Sequence, residues 1–195
     1  MEQVAMEEAQ ARGKFRGVFN VECWRWHDEH GNRFRDARGR FERRLMWTEE
    51  VHNIVTNEGL DHILNVVLHG ATQITTWYCT LVESDTAPAA GMTYATPVYT
   101  ESTAYDEATR PEYEEAAASS QSITNSANKA TFTISDTKTM YGASLVGGGT
   151  DPTVKGNTAG GGTLLCYAKF ASSRSVVDDD VLNLTYTISA ADDAA

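Results

Sequence analysis

The sequence predicts a mainly β protein: a β-sandwich or jelly-roll-like domain preceded by an N-terminal β-hairpin and carrying one short helix. Three observations predict it. Short runs of alternating or β-branched residues recur from Ile74 to the C-terminal end, separated by Gly, Pro, Asn and Ser. An earlier pair of alternating runs flanks a charged stretch containing Gly31-Asn32, a hairpin-type turn signal. A single segment, 56–70, has helical rather than strand periodicity.

Along the chain, residues 1–13 are polar and acidic and read as a flexible N-terminal tail. Residues 14–55 read as a β-hairpin and arm region. Its first strand, KFRGVFNVECWRW, alternates through Phe15, Val18 or Phe19, Val21 and Cys23 and ends on Trp24 and Trp26. Its second, RRLMWTEEVHNIV, is expected to turn Leu45, Trp47 and Val51 inward. Between them, Arg33–Arg44 holds six arginines against Asp36 and Glu42 and is read as an extended hairpin tip.

Residues 56–70, TNEGLDHILNVVLHG, form the predicted helix. Thr56 or Asn57 can cap it, Glu58 and Asp61 suit the positive end of its dipole, and Gly70 follows as a stop. Leu60, Ile63, Leu64, Val67 and Leu68 make one apolar face, with His62 and His69 bordering the core. Residues 71–190 are assigned to the sandwich. Its strands are TTWYCTLVE, SITNSANKATFTIS, TKTMYGASLVGG, TLLCYAKFASSRSVV and VLNLTYTISA, with a Gly-rich loop over 147–162. The acidic, tyrosine-bearing stretch AYDEATRPEYEEAAAS is ambiguous. Residues 191–195 read as a C-terminal tail, and no internal repeat is visible.

The formal net charge of −11 is unevenly spread over the 195 residues. Residues 1–50 hold ten basic and ten acidic side chains, whereas 51–195 hold six and seventeen. Such asymmetry suggests two surfaces with different partners. The acidic bulk argues against nucleic acid as the main ligand, since phosphate binding needs clustered Lys and Arg. No apolar stretch approaches the about 20 residues of a membrane span, and the polar N-terminus lacks a secretory leader pattern. A soluble, cytoplasmically made chain is expected.

Catalytic and metal signals are weak. Cys23, Cys79 and Cys166 are far apart, form no CxxC and read as small buried thiols. His27-Asp28-Glu29-His30 offers too few converging ligands for zinc and reads as a solvated loop. Asp178–Asp180, and the acidic groups around Glu101–Glu107 and Glu112–Glu115, match no calcium-loop pattern; Asp178–Asp180 reads as a solvated turn between strands. There is no phosphate loop, dinucleotide fingerprint or nucleophile elbow. No catalytic residue and no cofactor is assigned, and the chain is expected not to be an enzyme.

The candidate functional residues are therefore those of a protein-docking arm: Arg33, Arg35, Arg38, Arg40, Arg43 and Arg44, with Trp24, Trp26 and Trp47 in or beside it. Arginine pairs bidentately with carboxylates, and Trp with Arg are common interface anchors. An exposed hairpin tip of balanced charge is the bland alternative.

Taken in order, several short patterns resemble a family. They are G-x-F-x-V-E-C at Gly17–Cys23, W-T-E-x-x-x-N at Trp47–Asn53, V-x-N-E-G-L at Val55–Leu60 and TTWYCTLVE at Thr75–Glu83. SITNSAN at Ser122–Asn128 and R-x-V-V-x-x-D-x-L-x-L-T-Y-T at Arg174–Thr187 follow. Together, over about residues 14–190, they resemble small virion structural proteins of tailed bacteriophages. The resemblance implies a component of the virion, present as a homo-oligomer or in many copies. Its lead role is capsid decoration or cement on the major capsid protein. A tail, tail-fibre or connector component is the alternative. A glycan-binding or glycan-cleaving module is a third reading, resting on Tyr and Trp content alone. The Arg-rich insertion between the first two strands departs from the family pattern.

Overall fold

The computed structural model describes residues 13–156 and 160–192. The tail expected over 1–13 lies outside them except for Gly13, as does the C-terminal tail from Asp193 onward. The described residues are mainly β, with two antiparallel sheets and one helix.

The first sheet contains β1 (Gly13–Arg25), β2 (Arg44–His52), β5 (Ser122–Thr124), β6 (Ala130–Thr133) and β9 (Val181–Asp192). Its order is β2-β1-β9-β5, with β6 also on β9. The second contains β3 (Ile54–Val55), β4 (Trp77–Val82), β7 (Lys138–Gly147) and β8 (Thr163–Val176), in the order β3-β8-β7-β4. The helix α1 (Asn57–Leu68) follows β3.

The N-terminal hairpin is therefore no separate unit, and the sandwich is not confined to 71–190. β1 is an interior strand, paired with β9 continuously from Gly13↔Asp192 to Trp24↔Val181. Ala191 and Asp192, expected in a tail, complete that ladder. Alternation decides what β1 and β9 bury. Phe19, Val21 and Cys23 from one and Leu182, Leu184 and Tyr186 from the other enter a single core. They join Leu81, Met140, Leu145, Cys166 and Phe170 there.

Leu45 does not turn inward as expected; it is 47% exposed. Cys23 pairs with Trp47 but Trp24 pairs with Leu45, so Met46 is an extra residue on β2. This bulge breaks the period of two. Trp47 and Val51 keep their contact with the core, and Leu45 moves to the other face.

β7 from Gly142 to Gly147 and β8 from Leu164 to Ala168 are buried on both faces, which accounts for their long apolar runs. The second face is covered by the irregular chain between β4 and β5. Met92, Tyr94 and Tyr99 pack there on Val82, Val146, Leu164 and Tyr167. The ambiguous tyrosine stretch belongs to the body as well: Tyr105 and Tyr113 enter the main core. Arg110, almost fully buried, pairs with Glu101 and donates to the Pro152 carbonyl, tying this covering layer to the Gly-rich loop.

The helix begins as its residues dictate. Thr56 is the N-cap and accepts from Gly59 N–H at 3.0 Å. Glu58 accepts from the backbone N–H of Tyr94 and Leu164 at 2.8 and 2.6 Å. The apolar face is not buried as expected. Ile63 reaches the core, but Leu64, Val67 and Leu68 are exposed, the last two at 72% and 78%. Gly59 lies against the Leu165 backbone, so the first turn is pinned to β8. The end of the helix, with Leu64, Val67 and Leu68, is left exposed. His62 is half-buried, edge-on to Trp77, whereas His69 is exposed rather than bordering the core.

Candidate functional site: the arginine-rich arm

The arm leaves β1 at Arg25 and returns to β2 at Arg44. Its root is fixed by a buried carboxylate. Arg25 Nε and Nη2 donate to Asp180 Oδ1 and Oδ2, both at 2.7 Å. Asp180 is fully buried and also accepts from Val177 N–H. The solvated turn expected at Asp178–Asp180 thus holds one anchoring residue; only Asp178 and Asp179 face solvent. The carboxylate beside Arg25 holds its guanidinium above the usual arginine range.

A second anchor lies below it. Buried Glu49 on β2 accepts from Arg174 Nε at 2.9 Å and from Ala171 N–H at 2.7 Å. The Arg174 guanidinium sits 5.7 Å from the Trp47 ring, whose Nε1 donates to Ser175 O at 3.3 Å.

Beyond the root, the arm is two short hairpins in succession, where a single extended tip is expected. Isolated bridges join His27 to Arg33 and Arg35 to Phe41. Each bridge closes a turn of the same design. In the first, Gly31 N–H donates to Asp28 O, and Asp28 Oδ1 accepts from His30 and Asn32 N–H at 2.9 Å each. In the second, Gly39 N–H donates to Asp36 O, and Asp36 Oδ1 accepts from Arg38 and Arg40 N–H at 2.8 and 2.9 Å. Gly31 and Gly39 stand at φ +80° and +77°, the left-handed position a three-residue hairpin loop requires. An Asp-x-x-Gly unit is therefore repeated eight residues apart, a repeat too short to stand out in the sequence.

These bonds shape the electrostatics. Both carboxyls lie below the ordinary carboxylate range. For Asp28 the largest cause is the Asn32 N–H, and for Asp36 the Arg40 N–H. The turn therefore holds its aspartates charged, and they hold the turn.

The arginines are organised by the aromatic residues. Arg35 lies 4.0 Å and Arg33 5.3 Å from the centre of the Phe41 ring; Arg44 lies 4.6 Å from Phe34, and Arg43 5.2 Å from Trp26. Arg40 pairs with Asp36 at 2.8 Å. Arg38 sits at the outer turn, exposed, its guanidinium without a partner among the described residues. Stacking leaves a guanidinium's edges available for hydrogen bonds; here Arg35 donates to the Gly39 carbonyl at 2.7 Å, Arg44 to Glu42 and to the Arg35 carbonyl, and Arg33 to His27.

The structure thus brings all six predicted arginines and Trp26 onto the arm. It does not bring Trp47, which packs against the core. Trp24 stays on β1, its Nε1 donating to Glu22 at 3.1 Å. Phe41 at 49% exposure, Leu45 and Met46 form exposed apolar surface on and beside the arm. Sequence reasoning missed the anchors Asp180 and Glu49, whose partners lie 155 and 125 residues away.

No group of three His, Cys, Asp or Glu side chains among the described residues converges as a metal site would need. Among them, no helix is long and apolar enough to cross a membrane. No protein-family model matches the chain, and no curated protein matches it.

Proposed function

We propose that this chain is a non-catalytic structural protein of a tailed-bacteriophage particle, and that it decorates the head by docking its arginine-rich arm on the major capsid protein. The family resemblance of its ordered motifs supports the virion assignment. The observation that carries the docking role is the arm itself. Two carboxylate-locked turns hold stacked arginines beside exposed Phe41, Leu45 and Met46, and a buried ion pair fixes the root. Arginine, aromatic and apolar side chains on a rigid projection are the composition of an interface anchor. An acidic partner surface fits it, because six arginines face two acids between Arg33 and Arg44. Many copies on one shell would multiply modest contacts by avidity.

The test is addition of purified protein to expanded capsids that lack it, followed by cryo-EM. Density repeated over the icosahedral shell, with the arm against the capsid protein, is expected. Density at one vertex would move the protein to the tail or connector, and absence of binding would remove the decoration role. Arg38→Glu is the discriminating variant, because it reverses a charge without touching either turn's hydrogen bonds. It should weaken incorporation and steepen its salt dependence. Arg40→Glu is less clean, since Arg40 also holds Asp36.

A further inference from the structure

Beside the arm, the sandwich leaves a long strand edge open. Elsewhere irregular chain closes the edges. Along β4, Cys79 N–H donates to Pro111 O, and Leu81 O accepts from Ser102 N–H. Thr124 O of β5 accepts from Ala116 N–H, and Thr133 O of β6 accepts from Asp106 N–H. β3 is only two residues long. Past β3, side chains of β2 meet the edge of β8: Glu49 accepts from Ala171 N–H, and Trp47 Nε1 donates to Ser175 O. β2 itself, nine residues long, is the outermost strand of its sheet and pairs with β1 alone among the described residues.

The register decides which backbone groups of β2 face outward. Asn53 N–H donates to the Gly17 carbonyl, one step beyond the pair Val18↔His52. Hydrogen-bonded and non-hydrogen-bonded pairs alternate along an antiparallel ladder. Glu49 and Val51 therefore turn their N–H and C=O groups to β1, and Thr48, Glu50 and His52 turn theirs outward. These last three residues are exposed, and nothing among the described residues meets their outward backbone groups. The bulge at Met46 ends this regular run next to the arm. Native sheets seldom leave such an edge free.

We propose that a partner polypeptide adds a strand to β2 over Trp47–His52, with carboxylates at the end that reaches the arm. The inference rests on the reading of the arm as a docking surface and adds how the partner is held. Main-chain hydrogen bonds to Thr48, Glu50 and His52 supply affinity and register, and side chains supply specificity. The partner's inward side chains are apolar, because they extend the layer formed by half-buried Trp47 and Val51. Its end nearer Arg44 is acidic, because Arg33, Arg35, Arg38 and Arg43 have no carboxylate partner among the described residues. A second copy fits that charge poorly. Placed antiparallel by a twofold axis, its β2 would bring only Glu50 and His52 toward the arm.

The test follows backbone hydrogen exchange, residue by residue, in the full chain alone and bound to expanded capsids that lack it. In the free protein the amides of Thr48, Glu50 and His52 should exchange fast, and those of Glu49 and Val51 slowly. On binding, the first three should slow by about tenfold or more. Capsid binding that leaves them unchanged would overturn the added strand while keeping the arm as the docking surface. Absence of binding would remove the docking reading and this inference with it. Slowing in the protein alone, growing with its concentration, would make a second copy the occupant and overturn the proposal. Thr48→Pro removes an outward N–H and no bond to β1, a change that an edge strand tolerates. It should weaken capsid binding severalfold with an unchanged melting midpoint, whereas Thr48→Val, which keeps the N–H, should bind as the original does. Equal binding by the proline variant would contradict the added strand.

Discussion

Arg25 and Asp180 meet in a bidentate pair, both hydrogen bonds 2.7 Å long, across 155 residues of sequence. The pair joins the last residue of β1 to the turn before β9, at the point where the arm departs. Asp180→Ala would leave a partly buried guanidinium unpaired and remove the acceptor for Val177 N–H. We expect a loss of about 3 kcal/mol, the lower end for breaking a buried pair because Arg25 keeps some solvent. Denaturant unfolding measures it; a loss below about 1 kcal/mol, the scale of a surface pair, would mean that the pair is no anchor.

Gly59→Ala should destabilise, against helix propensity. In an exposed helix interior alanine gains about 1 kcal/mol over glycine. Here an added Cβ would stand 2.5 Å from the Leu165 carbonyl oxygen, a backbone atom that cannot swing away. Overpacking of this kind costs about 1–3 kcal/mol, so the sign reverses. A thermal melt with an unchanged or raised midpoint would show that the helix can lift off β8 freely.

Thr56→Ala should cost about 1–2 kcal/mol, since Thr56 caps α1 and its hydroxyl also donates to the Leu164 carbonyl. Thr56→Ser keeps both bonds and should recover most of the loss. If serine and alanine prove equally damaging, the methyl group rather than the hydroxyl is what matters.

The arm should loosen in acid. The folded pKa values of Asp28 and Asp36 lie below their unfolded values, set mainly by the N–H groups of Asn32 and Arg40. Their contribution is therefore present in full above the ordinary aspartate value of about 3.9 and is lost as pH falls through the depressed folded values. Glu22, held down chiefly by Lys129, follows the same sign. NMR titration of the carboxyl carbons, with the amide shifts of His30, Asn32, Arg38 and Arg40, reads this directly. Midpoints at the ordinary value would contradict the turn geometry.

The three thiols should ignore alkylating reagents in the native state. All are fully buried and free, and burial pushes the Cys166 thiol up to about 12, with Cys23 and Cys79 raised further. Modification should proceed only at the rate of opening, rising with denaturant. Fast labelling in buffer would place at least one thiol at the surface.

Much of the architecture was legible locally. Alternation in Phe19, Val21 and Cys23, the Thr56 cap, the Gly-rich stop after β7 and the six arginines between two strands all follow from near neighbours. Strand alternation, capping and turn chemistry act over a few residues, so a linear reading can see them. The helix face misled for a related reason. Periodicity identified Leu64, Val67 and Leu68 as one stripe, but a stripe says only what could be buried, and α1 meets the sheets through Gly59, His62 and Ile63 instead.

The sequence by itself determined a mainly β chain with one helix, buried thiols and a cationic arm on an acidic body. Only the tertiary structure decided that β1 is an interior strand, that a bulge turns Leu45 outward, that Asp180 is a buried anchor rather than a solvated acid, and that Glu49 is another anchor. The physical reason is separation. A carboxylate's role depends on which cation lies within 3 Å of it, and for these two that cation lies more than a hundred residues away, brought close by pairing that no short-range pattern encodes.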